Sequence, residues 1–140
     1  MWTKEYRAES TASAATLFAI LADVAGWPEW NAGVRRVKLN GPFAAGTTAT
    51  MVLPDRTALS FRLMWVEGDR GFADETEVPD VGVLVRVSHL LESLEGGGTR
   101  ITYRCSVEGP SDVGAEVGPA VSADFPDVIA ALAARAESPQ

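Results

Sequence analysis

The chain of 140 residues holds a single cysteine and a single histidine. With Cys105 alone no internal disulfide can form, and a reducing compartment fits such a chain. One imidazole and one thiol give no metal-ligand spacing, so no metal is expected. Positive charge is also scarce: 12 Lys and Arg stand against 19 Asp and Glu, for a net charge of −7. Nucleic acid and anionic membrane surfaces both call for a basic face, so neither is expected as a partner. Charge or glycine interrupts every apolar run before it reaches the length of a bilayer span, so membrane insertion is not expected. The opening "MWTKEYRAES" lacks an apolar signal core, and a cytoplasmic location is the expectation. There is no dinucleotide fingerprint and no P-loop: "EGGG" leads into a strand, and "GPSDVGAEVG" lacks the lysine. No cofactor is expected.

What is present is the material of one globular domain, residues 1–140, with 46% apolar residues and enough length to bury a core. Residues 2–10 alternate as a strand with one wet side. Leu17, Ile20, Leu21 and Val24 form a helical stripe, with Ser13 as N-cap and Gly26 as a left-handed stop. In "GWPEWN" the proline forces a corner and then suits the first turn of a second, very short helix. Trp27 and Trp30 would face the same way there, Trp27 as an anchor and Trp30 with a share in a pocket.

From residue 34 to 108 strands and turns follow. Val37 and Leu39, Thr47–Leu53, Leu59–Trp65, Phe72–Thr76, Val83–Leu91 and Ile101–Val107 each read as half-buried strands. After "EGPSD" the period turns helical. Val113, Val117, Val121, Phe125, Val128, Leu132 and Ala136 make one stripe, with a kink or break expected at Pro119 and at Pro126. "ESPQ" is a tail. The predicted fold is α+β: a curved antiparallel sheet of about six to seven strands wrapped on a long C-terminal helix, with two short helices after the first strand.

"ADVAGWPEWN", "NGPFAAGTT", "SHLLESLEGGGTRITYRCSVEGP" and "FPDVIAALAARAE" occur in this order along nearly the whole chain. Together they resemble the START-like, or SRPBCC, superfamily, which includes the polyketide cyclase/dehydrase and lipid-transport proteins. The resemblance implies the helix-grip fold, with a cavity between sheet and terminal helix. Aromatase/cyclase relatives often use an arginine-bearing pocket, whereas Arg62 and Arg86 here fall on the outward parity of their strands.

Strand parity sends Met51, Phe61, Leu63, Trp65, Phe72, Val85, Val87, Leu91 and Ile101 inward, facing Val117, Val121, Phe125 and Val128. His89 shares the inward face and should lie opposite Tyr103 or Cys105, depending on loop length. Imidazole, phenol and thiol in an apolar barrel form a sparse polar set that can orient a ligand, or act as acid and base through His89 and Tyr103. Buried, hydrogen-bonded packing is the competing reading for His89, and a small buried hydrophobe for Cys105. A Cys105–His89 nucleophile pair lacks an orienting third group and an oxyanion hole. Asp74, in the acidic "DETEVPD", reads as solvated rim. Turns at Pro54 and Pro79 would gate access.

The functional expectation is a module binding a small hydrophobic or aromatic molecule, lipid or polyketide-like. Contacts would come from Trp30, Met51, Phe61, Leu63, Trp65, Phe72, Val87, His89, Tyr103, Cys105, Val121 and Phe125. A cyclase/dehydrase-type enzyme and a protein-partner module are the alternatives.

Overall fold

The computed structural model describes residues 1–78 and 80–138; Pro79 and the tail residues Pro139 and Gln140 lie outside the described residues. Seven strands form one antiparallel sheet. They are β1 (Trp2–Ser10), β2 (Arg36–Leu39), β3 (Thr48–Val52), β4 (Ala58–Glu67), β5 (Gly71–Val78), β6 (Val83–Ser93) and β7 (Thr99–Glu108). Their spatial order is β1-β7-β6-β5-β4-β3-β2, so the first strand returns to pair with the last. Helix α1 (Ala14–Ala22) and a 3-10 helix (Val24–Glu29) follow β1, and α2 (Ser111–Ser122) and α3 (Phe125–Glu137) follow β7. The sheet curls around α2 and α3, which pack on β1 and β7.

Local chemistry explains the helix ends. Ser13 caps α1, its hydroxyl accepting from the Thr16 N–H at 3.1 Å. Contrary to expectation, α1 stops at Ala22, before Gly26, and the 3-10 helix begins ahead of Pro28 instead of after it. Gly26 sits inside the 3-10 helix, where an added Cβ would lie 2.5 Å from Oδ2 of Asp23. Pro126 occupies the first turn of α3, where its missing N–H costs nothing, and a turn at Ala123 and Asp124 separates the helices. Pro119 is accommodated within α2.

The α2–α3 stretch, Ser111–Glu137, is long enough to cross a membrane and contains an 18-residue window apolar enough to do so, of mean hydropathy 1.3. That amends the expectation drawn from uninterrupted apolar runs. The indication is weak, because the stretch also lays buried residues against the sheet: Gly114, Gly118 and Ser122 on α2, and Phe125, Val128, Ile129 and Leu132 on α3.

Gly118 is there for close approach. An added Cβ would run into the indole of Trp2, which seats β1 under α2. Gly118→Ala would ordinarily gain about 1 kcal/mol of helix propensity. Overpacking should outweigh that gain and lower stability by about 1–3 kcal/mol. In urea titrations, adding Trp2→Ala to Gly118→Ala should restore part of the loss, because the two positions touch.

Candidate functional site

Between the concave face of the sheet and the α2–α3 roof lies a cavity of about 670 Å³. Its walls are apolar: Trp27, Val34, Met51, Leu53, Leu59, Phe61, Val78, Val85 and Val87 from below, and Val117, Val121, Phe125 and Val128 from above. Its mouth is marked by lining residues that are also exposed: Pro54 and Asp55 of the β3–β4 turn, and Ala120 and Asp124 of the roof. Asn31 and Gly33 complete the rim.

Four polar side chains face this space from adjacent strands: Thr76, and the ionisable Asp74, His89 and Tyr103. The register makes the last three neighbours. His89 pairs with Phe72 on one side and with Tyr103 on the other, while Asp74 pairs with Val87. The loop length thus sets Tyr103, not Cys105, opposite the imidazole. The ring of His89 stacks on Phe72 at 4.0 Å and meets Tyr103 edge-on at 4.5 Å. Phe125 closes over Tyr103 at 5.5 Å.

Hydrogen bonding defines the tautomer. Nδ1 of His89 donates to the carbonyl of Phe72 at 3.4 Å, which leaves Nε2 as a bare acceptor. Nε2 lies 3.8 Å from Oδ2 of Asp74. Burial disfavours charge on both partners. It pushes the Asp74 carboxyl up to about 7 and draws the imidazole down to about 3, the bond to Phe72 opposing only in part. Desolvation, with the nearby charge of Asp74, also raises Tyr103 far above the ordinary phenol range. Among the described residues, neither Asp74 nor the Tyr103 hydroxyl has a hydrogen-bond partner in the protein. The cavity floor therefore offers a carboxyl, a bare imidazole nitrogen and a phenol with unspent bonding capacity. Of the three, only Asp74 changes charge near neutral pH.

Met51, Phe61, Val87, His89, Tyr103, Val121 and Phe125 line the cavity. Five other residues expected there do not. Trp65 is 36% exposed on the outer face, because the β4–β5 register shifts between Leu63 and Trp65 and that bulge reverses the alternation. Leu63 and Phe72 point inward but are wholly buried in packing below the cavity wall. Cys105 is likewise fully buried, opposite Val87, and burial pushes its thiol up to about 11, which removes the nucleophile reading.

Trp30 packs on the core away from the cavity, whereas Trp27 both lines the cavity and donates its indole N–H to Leu21 at 2.9 Å. The 3-10 helix ends at Glu29, and Trp30 has left the helical path at φ −129°, so the two rings do not share a face. Asp74 departs from the expected solvated rim: its side chain is only 16% exposed. Strand parity with Phe72 carried that signal, but the acidic run around it hid it. Arg62 and Arg86 are exposed as expected, and Arg86 binds Glu75 at 2.7 Å and Glu108 at 3.3 Å on the outer face.

Among solved structures, truncated norcoclaurine synthase from Thalictrum flavum is similar over 99% of this chain and 95% of its own, at 11% identity and a TM-score of 0.82. The Aha1 dimer from Colwellia psychrerythraea matches over 98% and 97%, at 16% identity and a TM-score of 0.73. The di-domain ARO/CYC StfQ from the steffimycin biosynthetic pathway matches over 96% of this chain and 50% of its own, at 15% identity and a TM-score of 0.74. At such identities these likenesses show the fold alone. No curated protein matches the sequence. The family that does match is described as polyketide cyclase/dehydrase and lipid transport, and the match runs over residues 1–137. With a seven-stranded sheet gripping its C-terminal helices, the chain belongs to the polyketide cyclase/dehydrase and lipid transport family.

Proposed function

We propose that this protein binds a small hydrophobic or aromatic molecule, lipid or polyketide-like, inside the sheet–helix cavity. The single observation that carries the reading is the cavity of about 670 Å³, apolar on its walls and polar at a few points of its floor. Ligand sites typically hold about 300–1,000 Å³ and combine that lining with a few orienting groups. Transfer of apolar surface out of water supplies the affinity, at about 25 cal/mol per Å² before ordering costs. Asp74, His89 and Tyr103 orient what enters. An enzymatic reading would run through Asp74, since neither His89 nor Tyr103 titrates near neutrality. The family supports a ligand-binding fold. A cytoplasmic setting belongs to the same proposal, in keeping with the free thiol of Cys105.

Val121→Trp tests it. The new indole would point from the roof into the cavity and fill part of it. Nile red should fluoresce strongly with wild type and at least about tenfold less with the variant, while circular dichroism stays unchanged. Equal dye binding by both proteins, or none by wild type, would remove the cavity as the binding site. Native mass spectrometry of protein purified from cells should show added mass that Val121→Trp loses.

A further inference from the structure

The charge of the cavity narrows its ligand, given the binding reading above. Among the described residues lining it there is no Lys and no Arg, but there are three carboxyl side chains: Asp74 on the floor and Asp55 and Asp124 at the mouth. Tyr103 is 3% exposed, and its hydroxyl faces the cavity without a protein partner. His89, 9% exposed, turns a bare acceptor nitrogen to the same place.

An anion entering this space would find no opposite charge and would pass two acidic side chains on the way. A buried ion without a partner loses its hydration and gains no opposite charge in return. A protonated amine meets the reverse situation: a carboxyl to pair with, and a phenol and an imidazole nitrogen as acceptors. The aromatic faces of Trp27, Phe61 and Tyr103 suit a flat apolar body, and Trp27 and Phe61 lie parallel at 6.1 Å.

We propose that the cavity selects by charge: it takes a molecule with a flat apolar body and an amine that seats against Asp74, and it rejects carboxylate- and phosphate-headed lipids.

The groups facing Asp74 set how this depends on pH. His89 from β6 and Tyr103 and Cys105 from β7 are the ionisable ones, Asp124 of the turn before α3 acts on Tyr103, and none supplies a cation near neutrality. In the empty cavity the carboxyl ionises only near pH 7. Amine affinity therefore rises with pH up to about 8, short of the range near 10 where an alkylamine loses its own proton. Affinity for a neutral molecule of the same shape stays flat.

Three probes with one body separate the outcomes: naphthylethylamine, its neutral alcohol analogue and its carboxylate analogue, each displacing Nile red at about pH 8. The amine should bind at least about tenfold more tightly than the carboxylate, the ratio a charge-assisted hydrogen bond supplies. Asp74→Asn should erase the preference of amine over alcohol while the alcohol still binds. If Asp74→Asn folds poorly, the pH profile of wild type keeps the test open: amine affinity that stays flat between about pH 6 and pH 8 overturns the proposal. A carboxylate that binds as well as the amine overturns charge selection but leaves the cavity reading standing. If none of the three probes displaces dye and no dye binds, the cavity reading fails, and charge selection with it.

Discussion

Phe72→Ala should lower the stability of the fold by about 3–5 kcal/mol, much of what a domain of this size possesses. Phe72 is wholly buried and joins three parts of the structure. Its ring lies 5.1 Å from Phe43 in the β2–β3 connection, 6.0 Å from Trp27 of the 3-10 helix, and 4.0 Å from His89. Truncation would leave a void where no side chain can collapse without dragging the Trp27 wall with it. Phe61→Ala is the control. Phe61 also stacks on Trp27 and is almost as buried, but it already borders the cavity. It has fewer neighbours to lose, so its truncation should cost less, toward the lower end of about 3–5 kcal/mol. Urea midpoints for the two variants decide the matter. Equal losses would mean that Phe72 is not the strut between wall and floor. Loosening of the stack should also weaken dye binding in Phe72→Ala, even at temperatures where it remains folded.

The second large effect is in the pH dependence of stability. Asp74 binds its proton more tightly folded than unfolded, with a carboxyl at about 7 against an ordinary 3.8. Its contribution therefore worsens as pH rises from about 4 to about 7. His89 does the opposite. Its imidazole lies at about 3 against an ordinary 6.5, so its contribution worsens as pH falls from about 6.5 to about 3. Between about pH 4 and pH 6.5 the two slopes cancel, and the pair as a unit leaves wild-type stability nearly flat there.

Single substitutions should expose each slope. In Asp74→Asn the His89 contribution stands alone, and stability relative to wild type should fall on acidification from about pH 6.5 to pH 4. In His89→Gln the Asp74 contribution stands alone, and relative stability should climb over the same interval. Each change amounts to a few kcal/mol, at about 1.4 kcal/mol per pKa unit. Comparison with wild type at every pH removes the background of the other carboxyl groups. If burial did not hold the lone groups neutral, each variant would track wild type at every pH and both slopes would vanish. That result would also remove the basis for a neutral, unspent Asp74 in the cavity.

Much of the fold was legible in advance because burial imposes a period. Alternation in β6 and β7 assigned the inward faces of both strands, and spacings of three and four along α2 and α3 assigned the roof residues that line the cavity. Ser13 marked a helix start through local hydrogen-bond chemistry, and Pro126 marked the break in the terminal helix through its missing donor. The site was legible only in part. Parity held for His89 and Tyr103 because β6 and β7 pair without interruption, and it failed for Trp65 because a bulge in β4 inserts one residue into the count. Trp27 and Trp30 exchanged their expected places for a similar reason: the short helix is 3-10 and ends between them.

From the sequence alone came the antiparallel sheet, its roof of helices, the inward face of the last hairpin and the shortage of cations. These follow from short-range patterning, which survives whatever the rest of the chain does. Only the tertiary structure decided that the space under the roof is hollow, that Leu63, Phe72 and Cys105 fill the layer below it, and that Asp74 joins His89 on its floor. Filled core and empty cavity draw on the same apolar residues, and a carboxyl in an acidic run looks alike at a wet rim or a dry wall. The difference lies in how far apart two packed layers stand, and that distance is set by contacts between residues far apart in the chain.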